Sequence, residues 1–163
     1  MCDKIYLYTN NMRGGISMDI DCSELLKLDN QLCFPIYAAS RAITSLYTPY
    51  LKPLGLTYTQ YIFFLVLWEK DGITVGEICK RLMLDCGTLS PIIKKLRQQG
   101  YIEKHQSPMD ERSYIITLTD KGRELRQQAK DIPLRIGKCV DIAPEKALQL
   151  RELLYELLDN TNR

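Results

Sequence analysis

The 163-residue chain has one histidine, and none of its six cysteines is paired in a Cys-x-x-Cys spacing. A zinc site therefore has little to be built from, and none is expected, nor any other cofactor. It also lacks a membrane span: the longest strongly apolar run, Tyr61 to Trp68, falls far short of the ~20 residues a bilayer requires. The opening MCDKIYLYTNNMRGGIS has no continuous apolar segment of the kind that directs export, so a cytoplasmic location is expected. Charge bias is missing too, because 22 Lys+Arg against 20 Asp+Glu leave a net charge of +2, which names no partner. With 45% hydrophobic and 26% charged residues, disordered and collagen-like classes are excluded. The length suits one globular domain, alone or with an added dimerisation element. In a reducing compartment Cys2, Cys22, Cys33, Cys79, Cys86 and Cys139 are expected as thiols, most of them small buried hydrophobes. One or two become redox-active where the surroundings favour the thiolate.

Residues 1–17 have no periodicity and read as a disordered tail. Met18 offers a second start, and Arg13-Gly14-Gly15 is encodable by a purine-rich ribosome-binding stretch, so a misannotated leader is the alternative reading. Over residues 25–51 the apolar positions recur at helical spacing, with Pro35 expected to kink or break the helix. A second helix is expected over residues 58–70, with Tyr61, Phe64, Leu65 and Trp68 turned inward. Thr74-Val75-Gly76-Glu77 has capping-box spacing and opens a short helix over residues 75–82. Met83-Leu84-Asp85 then form a turn. A third helix runs from Cys86 or Gly87 to about Gln99, carries Pro91 in its first two turns, and stops at Gly100. Helix, short turn and helix read as a helix-turn-helix. Strands at 101–105 and 113–118, joined by a polar loop over 106–112, make a β-wing directly after it. A long helix over about 119–140, interrupted at Pro133, and a last one over 143–158 complete a mainly α fold.

Charge is unevenly placed. From Lys80 to Arg126 there are ten basic and six acidic residues, so this segment is +4 and the remainder −2. Gly87, Thr88, Ser90 and Pro91 begin the candidate recognition helix, where backbone N–H groups and the helix dipole favour phosphate. Lys94 and Lys95 follow on the polar side, and Leu89, Ile92, Ile93 and Leu96 supply the apolar one. In the loop, Asp110 stands two residues before Arg112. A carboxylate so placed braces an arginine in the extended form that enters a narrow minor groove.

Asp110-Glu111-Arg112 followed by Leu118-Thr119-Asp120-Lys121-Gly122 resembles the MarR family of dimeric winged-helix repressors. The runs Leu28-Asp29-Asn30-Gln31-Leu32-Cys33-Phe34, Tyr37-Ala38-Ala39-Ser40-Arg41, residues 54–61, residues 84–91 and Asp131-Ile132-Pro133 are similar to its organic-hydroperoxide-sensing (OhrR-like) subfamily. The resemblance implies a winged helix-turn-helix flanked by N- and C-terminal dimerisation helices. Residues 18–56 would then hold the sensor cysteine, 57–122 the DNA-binding lobe and 123–163 the C-terminal dimerisation helices. It implies that Cys33 reacts with peroxide and that Tyr37, Tyr47 and Tyr58 surround its thiol. Phe34, Ile36, Phe63 and Phe64 would provide an apolar lining suited to an alkyl hydroperoxide. Some members carry a resolving cysteine near the C-terminus, where Cys139 stands; a low-molecular-weight thiol is the alternative partner. Cys86 departs from the subfamily, which usually has Ser there, and oxidation at that position would reach the DNA contact directly. The implied partners are a second copy of the chain and a pseudo-palindromic double-stranded DNA operator, with no membrane. Two rivals stay open at this point: a regulator answering a small aromatic ligand without thiol chemistry, and a thiol peroxidase.

Overall fold

The computed structural model describes residue 23 and residues 26–161; the expectations for the tail, for Met18 and for Leu25 lie outside the described residues. A 3-10 turn (Leu28–Asn30) leads to α1 (Cys33–Leu46), α2 (Thr48–Leu51) and a second 3-10 turn (Lys52–Leu54). Then come α3 (Tyr58–Glu69), β1 (Ile73–Thr74), α4 (Val75–Leu82), α5 (Cys86–Gln98), β2 (Ile102–Gln106) and β3 (Tyr114–Leu118). Three helices follow, α6 (Asp120–Ala129), α7 (Ile132–Val140) and α8 (Pro144–Thr161). Two compact units result, one ending at Ser45 and one starting at Leu46.

In the first unit α1 starts at Cys33, later than the apolar spacing suggested. Pro35 is therefore its third residue, where a backbone N–H has no intrahelical acceptor, so it removes no hydrogen bond and the expected mid-helix break is corrected. No residue of α1 is buried, and Phe34 and Tyr37 stand exposed along it.

The second unit contains the described core. Thr57 and Gln60 form a capping box that starts α3: Gln60 Oε1 accepts the Thr57 N–H at 2.9 Å, and Thr57 Oγ1 accepts the Gln60 N–H at 3.3 Å. Because α3 is apolar all round, periodicity does not choose its inner face. Phe63 is fully buried and Leu65 is 42% exposed, which corrects the expected orientation. Tyr61, Phe63, Phe64 and Leu67 pack with Ile78 of α4, Leu89 and Leu96 of α5, and Ile102 and Ile116 of the sheet. Each such side chain contributes roughly 1.5–3 kcal/mol by leaving water.

The sheet has the order β1-β3-β2, all antiparallel, with Ile73 opposite Ile116 and Ile102 opposite Leu118. At two residues β1 is too short for an alternating pattern, and the sequence reading missed it. The expected helix over 119–140 is two helices, divided at residues 130–131. The interruption expected at Pro133 thus falls just before it, and Pro133 sits second in α7. In α8 no residue is buried, and Leu148, Leu153 and Tyr155 are half or more exposed. An apolar helix left uncovered in a single chain needs another surface.

Candidate nucleic-acid interface and thiol site

The helix-turn-helix is built from local hydrogen bonds. Thr74 Oγ1 accepts the Glu77 N–H at 3.1 Å, and Glu77 Oε2 accepts the Thr74 N–H at 2.8 Å, closing the capping box of α4. At the other end Met83 takes φ 53°, in the left-handed region. That reversal returns the Leu84 N–H to the Cys79 carbonyl at 3.0 Å. Asp85 then caps α5, its Oδ1 accepting the Thr88 N–H at 2.8 Å and its Oδ2 the Thr88 hydroxyl at 2.6 Å. These bonds from Thr88, the hydroxyl's first, hold the Asp85 carboxyl below its ordinary range. Gly87 fits beneath it, because a Cβ there would lie 2.9 Å from Asp85 Oδ1.

The cap alters what α5 can offer DNA. Thr88 and Ser90 are exposed, yet the Thr88 hydroxyl donates to Asp85 and the Ser90 hydroxyl to the Cys86 carbonyl at 2.7 Å. Asp85 thus fills the helix N-terminus where the sequence suggested phosphate. Pro91, in turn, lacks the N–H that would reach the Gly87 carbonyl. Lys94 and Lys95 are exposed on the side opposite the buried Leu89, Ile93 and Leu96, and neither makes an ion pair with a described residue.

In the wing, Ser107 N–H donates to the Ser113 carbonyl and Ser113 N–H to the Asp110 carbonyl, both at 2.9 Å. Asp110 Oδ1 accepts the backbone N–H of Arg112 at 2.9 Å, and no ion pair joins the two side chains. The brace expected from the sequence therefore works through the main chain, and the exposed Arg112 guanidinium stays available. Other basic residues of the +4 segment are engaged locally. Arg81 pairs with Glu69, Arg123 with Asp71 at 3.5 Å, and Lys104 stands 3.8 Å from the Tyr114 ring centre.

Cys33 is the exposed first residue of α1, with Tyr37 one turn on. Arg41, a further turn along, donates to the Tyr37 hydroxyl at 3.3 Å, and its guanidinium lies 5.4 Å from that ring's centre. The i, i+4, i+8 spacing would have revealed Arg41 as part of this face. In the second unit Tyr47 and Tyr58 meet edge to face at 5.0 Å, and Tyr61, which the sequence reading placed in the core alone, lies 5.6 Å from Tyr47. Burial raises the phenol pKa of Tyr47 and Tyr58, and pushes Tyr61 to about 12 with help from Tyr47 and Tyr58. All three are hydroxyl donors at neutral pH. Phe63 and Phe64 are fully buried, Phe64 stacked on Trp68 at 5.4 Å, so they belong to the core and not to an open pocket lining. Cys139 is exposed near the end of α7. Cys79 and Cys86 lie with their sulfurs 2.9 Å apart across the helix-turn-helix, a pairing that sequence spacing did not suggest. Among the described residues no three potential metal ligands cluster, and no helix is long and apolar enough to cross a membrane.

Residues 45–129 match the family described as transcriptional regulator SarA/Rot. The chain is 44% identical over 138 residues to the organic hydroperoxide resistance transcriptional regulator of Bacillus subtilis, covering 85% of this chain and 94% of that protein. The structure of reduced AbfR bound to DNA superposes with a TM-score of 0.72 at 33% identity, over 86% of this chain and 99% of the other. AbfR, from Staphylococcus epidermidis, is also known in a disulfide form, with a TM-score of 0.58, 37% identity, and coverage of 83% and 96%.

Proposed function

Because the chain belongs to the MarR/SarA family of winged-helix transcriptional regulators, we propose that it is a homodimeric repressor released from DNA when Cys33 is oxidised. The observation that carries this reading is the exposed Cys33 thiol, one turn from the Tyr37 phenol on a helix with no buried residue. The Cys33 thiolate attacks the terminal oxygen of an organic hydroperoxide; the O–O bond breaks, the alkoxide takes up the thiol's proton, and a sulfenic acid remains. A second thiol, Cys139 of the partner subunit or a small thiol, then displaces water and forms a disulfide. Tyr37, Tyr47 and Tyr58 donate hydrogen bonds around the reacting sulfur in the assembled dimer.

On DNA, α5 of each protomer enters a major groove of a pseudo-palindromic operator. Gly87, Thr88, Ser90 and Pro91 line its leading turns, Lys94 and Lys95 face phosphate, and Arg112, set by Asp110, enters the flanking minor groove. Oxidation changes the dimer packing and so the spacing of the two recognition helices. A differential affinity of about 3–4 kcal/mol between the two states weakens operator binding ~100- to 1,000-fold. Family membership sets the thiol-peroxidase alternative aside, since a sensor requires one turnover and no docked reductant.

The test is operator binding with and without cumene hydroperoxide, for the wild type and Cys33→Ser. Peroxide is expected to weaken operator binding by the wild type ~100- to 1,000-fold and by the mutant no more than about tenfold. Equal release of both would overturn sensing through Cys33 and turn attention to a non-thiol ligand.

A further inference from the structure

We propose that Cys79 and Cys86 form a second redox site, which an organic hydroperoxide converts into an intraprotomer disulfide tying α4 to the first turn of α5. The chemistry follows from placement. Cys79 is the fifth residue of α4 and is buried; Cys86 is the first residue of α5 and is exposed. Their sulfurs are 2.9 Å apart, nearer than the ~3.5–4 Å at which even carbon atoms rest without bonding. A disulfide of about 2.05 Å needs less than ~1 Å of further approach.

Exposure and burial assign the roles. Burial, reinforced by the hydrogen bond to Cys86, raises the Cys79 thiol to about 11, so Cys79 stays protonated and the open Cys86 is the attacking group. The Cys86 thiolate takes the terminal oxygen of the hydroperoxide, the O–O bond breaks, and the alcohol leaves with the proton that the thiol released. Cys79 sulfur then attacks the Cys86 sulfenic acid, the S–O bond breaks, and the hydroxyl leaves as water with the Cys79 proton. Two sulfurs are each oxidised by one electron, and the peroxide is reduced by two. A dithiol reductant reverses the change.

The site is confined to the helix-turn-helix of one protomer, so it needs neither Cys33 nor a second subunit. Its consequence for DNA rests on the reading of α5 as the recognition helix; the disulfide does not. Cys86 lies between the Asp85 cap and Gly87, so the new bond displaces the leading turn of α5 relative to α4. Shifts of ~0.5 Å already disturb a built binding geometry.

The experiment uses the full chain carrying Cys33→Ser and Cys139→Ser. It is treated with stoichiometric cumene hydroperoxide, blocked with iodoacetamide and digested with trypsin without reduction. Cleavage after Lys70, Lys80, Arg81 and Lys94 places the two cysteines in separate peptides, residues 71–80 and 82–94. The expected product is these two peptides joined, lighter by two hydrogens than their sum, from protein that still runs as a monomer on a non-reducing gel. Operator affinity should fall roughly tenfold, return with dithiothreitol, and lose its response when Cys86→Ser is added. Recovery of both cysteines alkylated, or of Cys86 as a sulfinic acid beside alkylated Cys79, would overturn the disulfide. Joined peptides with unchanged operator affinity would overturn its regulatory role. If reduced wild-type protein shows no specific DNA binding, the recognition-helix reading fails while the peptide map still decides the disulfide.

Discussion

Gly122, third residue of α6, is where replacing a single hydrogen by a methyl group should matter most to the wing. A Cβ there would stand 2.3 Å from the Tyr101 carbonyl oxygen and 3.1 Å from Leu118 Cδ2. The nearer wall cannot swing aside. Tyr101 O accepts the Thr119 N–H at 3.1 Å, and the Thr119 hydroxyl donates to the Gly100 carbonyl at 2.7 Å. On the other side the Gly122 carbonyl accepts Trp68 Nε1–H at 3.0 Å. Restoring van der Waals distance requires α6 to retreat by roughly 1 Å, which strains all three bonds. Two effects compete in Gly122→Ala. Alanine favours a helix over glycine by about 0.8–1 kcal/mol. Overpacking against fixed backbone opposes it by about 1–3 kcal/mol, and the strained hydrogen bonds, lengthened but not broken, together by about 1 kcal/mol more. The net expectation is a loss of about 1–3 kcal/mol, seen as a urea midpoint lower by roughly 0.5–1.5 M. Protomer concentration must be held fixed, because a dimer's stability depends on it. Gly76→Ala is the matched reference: its nearest foreign atom is Thr74 Oγ1 at 4.0 Å, so helix propensity should act alone and raise stability by up to about 1 kcal/mol. A Gly122→Ala protein as stable as wild type would refute the reasoning.

Arg112→Ala should weaken operator binding about tenfold or more, and the loss should be larger for operators with a narrow, A·T-rich flank. A uniform loss across flanks, measured by fluorescence anisotropy, would make Arg112 a simple phosphate contact. Cys139→Ser should abolish the disulfide-linked dimer on non-reducing gels of peroxide-treated protein; a persistent linked dimer removes Cys139 from the mechanism. Tyr61 should show in alkaline unfolding. Its phenol rises from 10.0 to about 12 on folding, so above pH 10 the unfolded chain releases this proton first. The stability it contributes is complete below pH 10 and is lost as pH rises toward 12. Tyr61→Phe should therefore unfold less steeply over that window, followed by far-UV circular dichroism.

What the sequence made legible was local. The capping box of Thr74 and Glu77, the amphipathic spacing of Leu89, Ile93 and Leu96, and the wing's paired strands are written within a few residues of where they act. Errors arose where a local pattern admits more than one solution. An all-apolar helix does not say which of Phe63 and Leu65 faces inward, and neighbouring tertiary contacts decide it. Proline in a helical run reads as a break until the helix start is known, which is why Pro35 looks like a kink from the apolar spacing although it is the third residue of α1. Hydroxyls at a helix start look free for phosphate until a cap such as Asp85 is seen to take the Thr88 protons. The proposed sensor Cys33 is legible through family resemblance alone, because an exposed thiol at a helix start has no distinctive spacing.

The Cys79–Cys86 pair shows why spacing cannot stand in for a turn. Seven residues apart, the two would lie on one face of a continuous helix, about two turns from each other and out of bonding reach. They meet because Met83 accepts a left-handed backbone, at a cost of about 1–2 kcal/mol for a residue with a Cβ. That reversal also sets the angle between α4 and α5, so the geometry that makes a helix-turn-helix is the same one that brings the thiols together. The two redox centres would then be read differently. In the proposed mechanism, oxidation at Cys33 would act on α1, a helix with no buried residue, and its effect on DNA would require the dimer. Oxidation at Cys79 and Cys86 acts inside one protomer, between a buried and an exposed sulfur. Diluting the protein below its dimerisation midpoint should therefore abolish formation of the Cys33–Cys139 disulfide and leave the Cys79–Cys86 one intact. If both disappear together on dilution, the second centre also depends on the partner and the two centres are not independent.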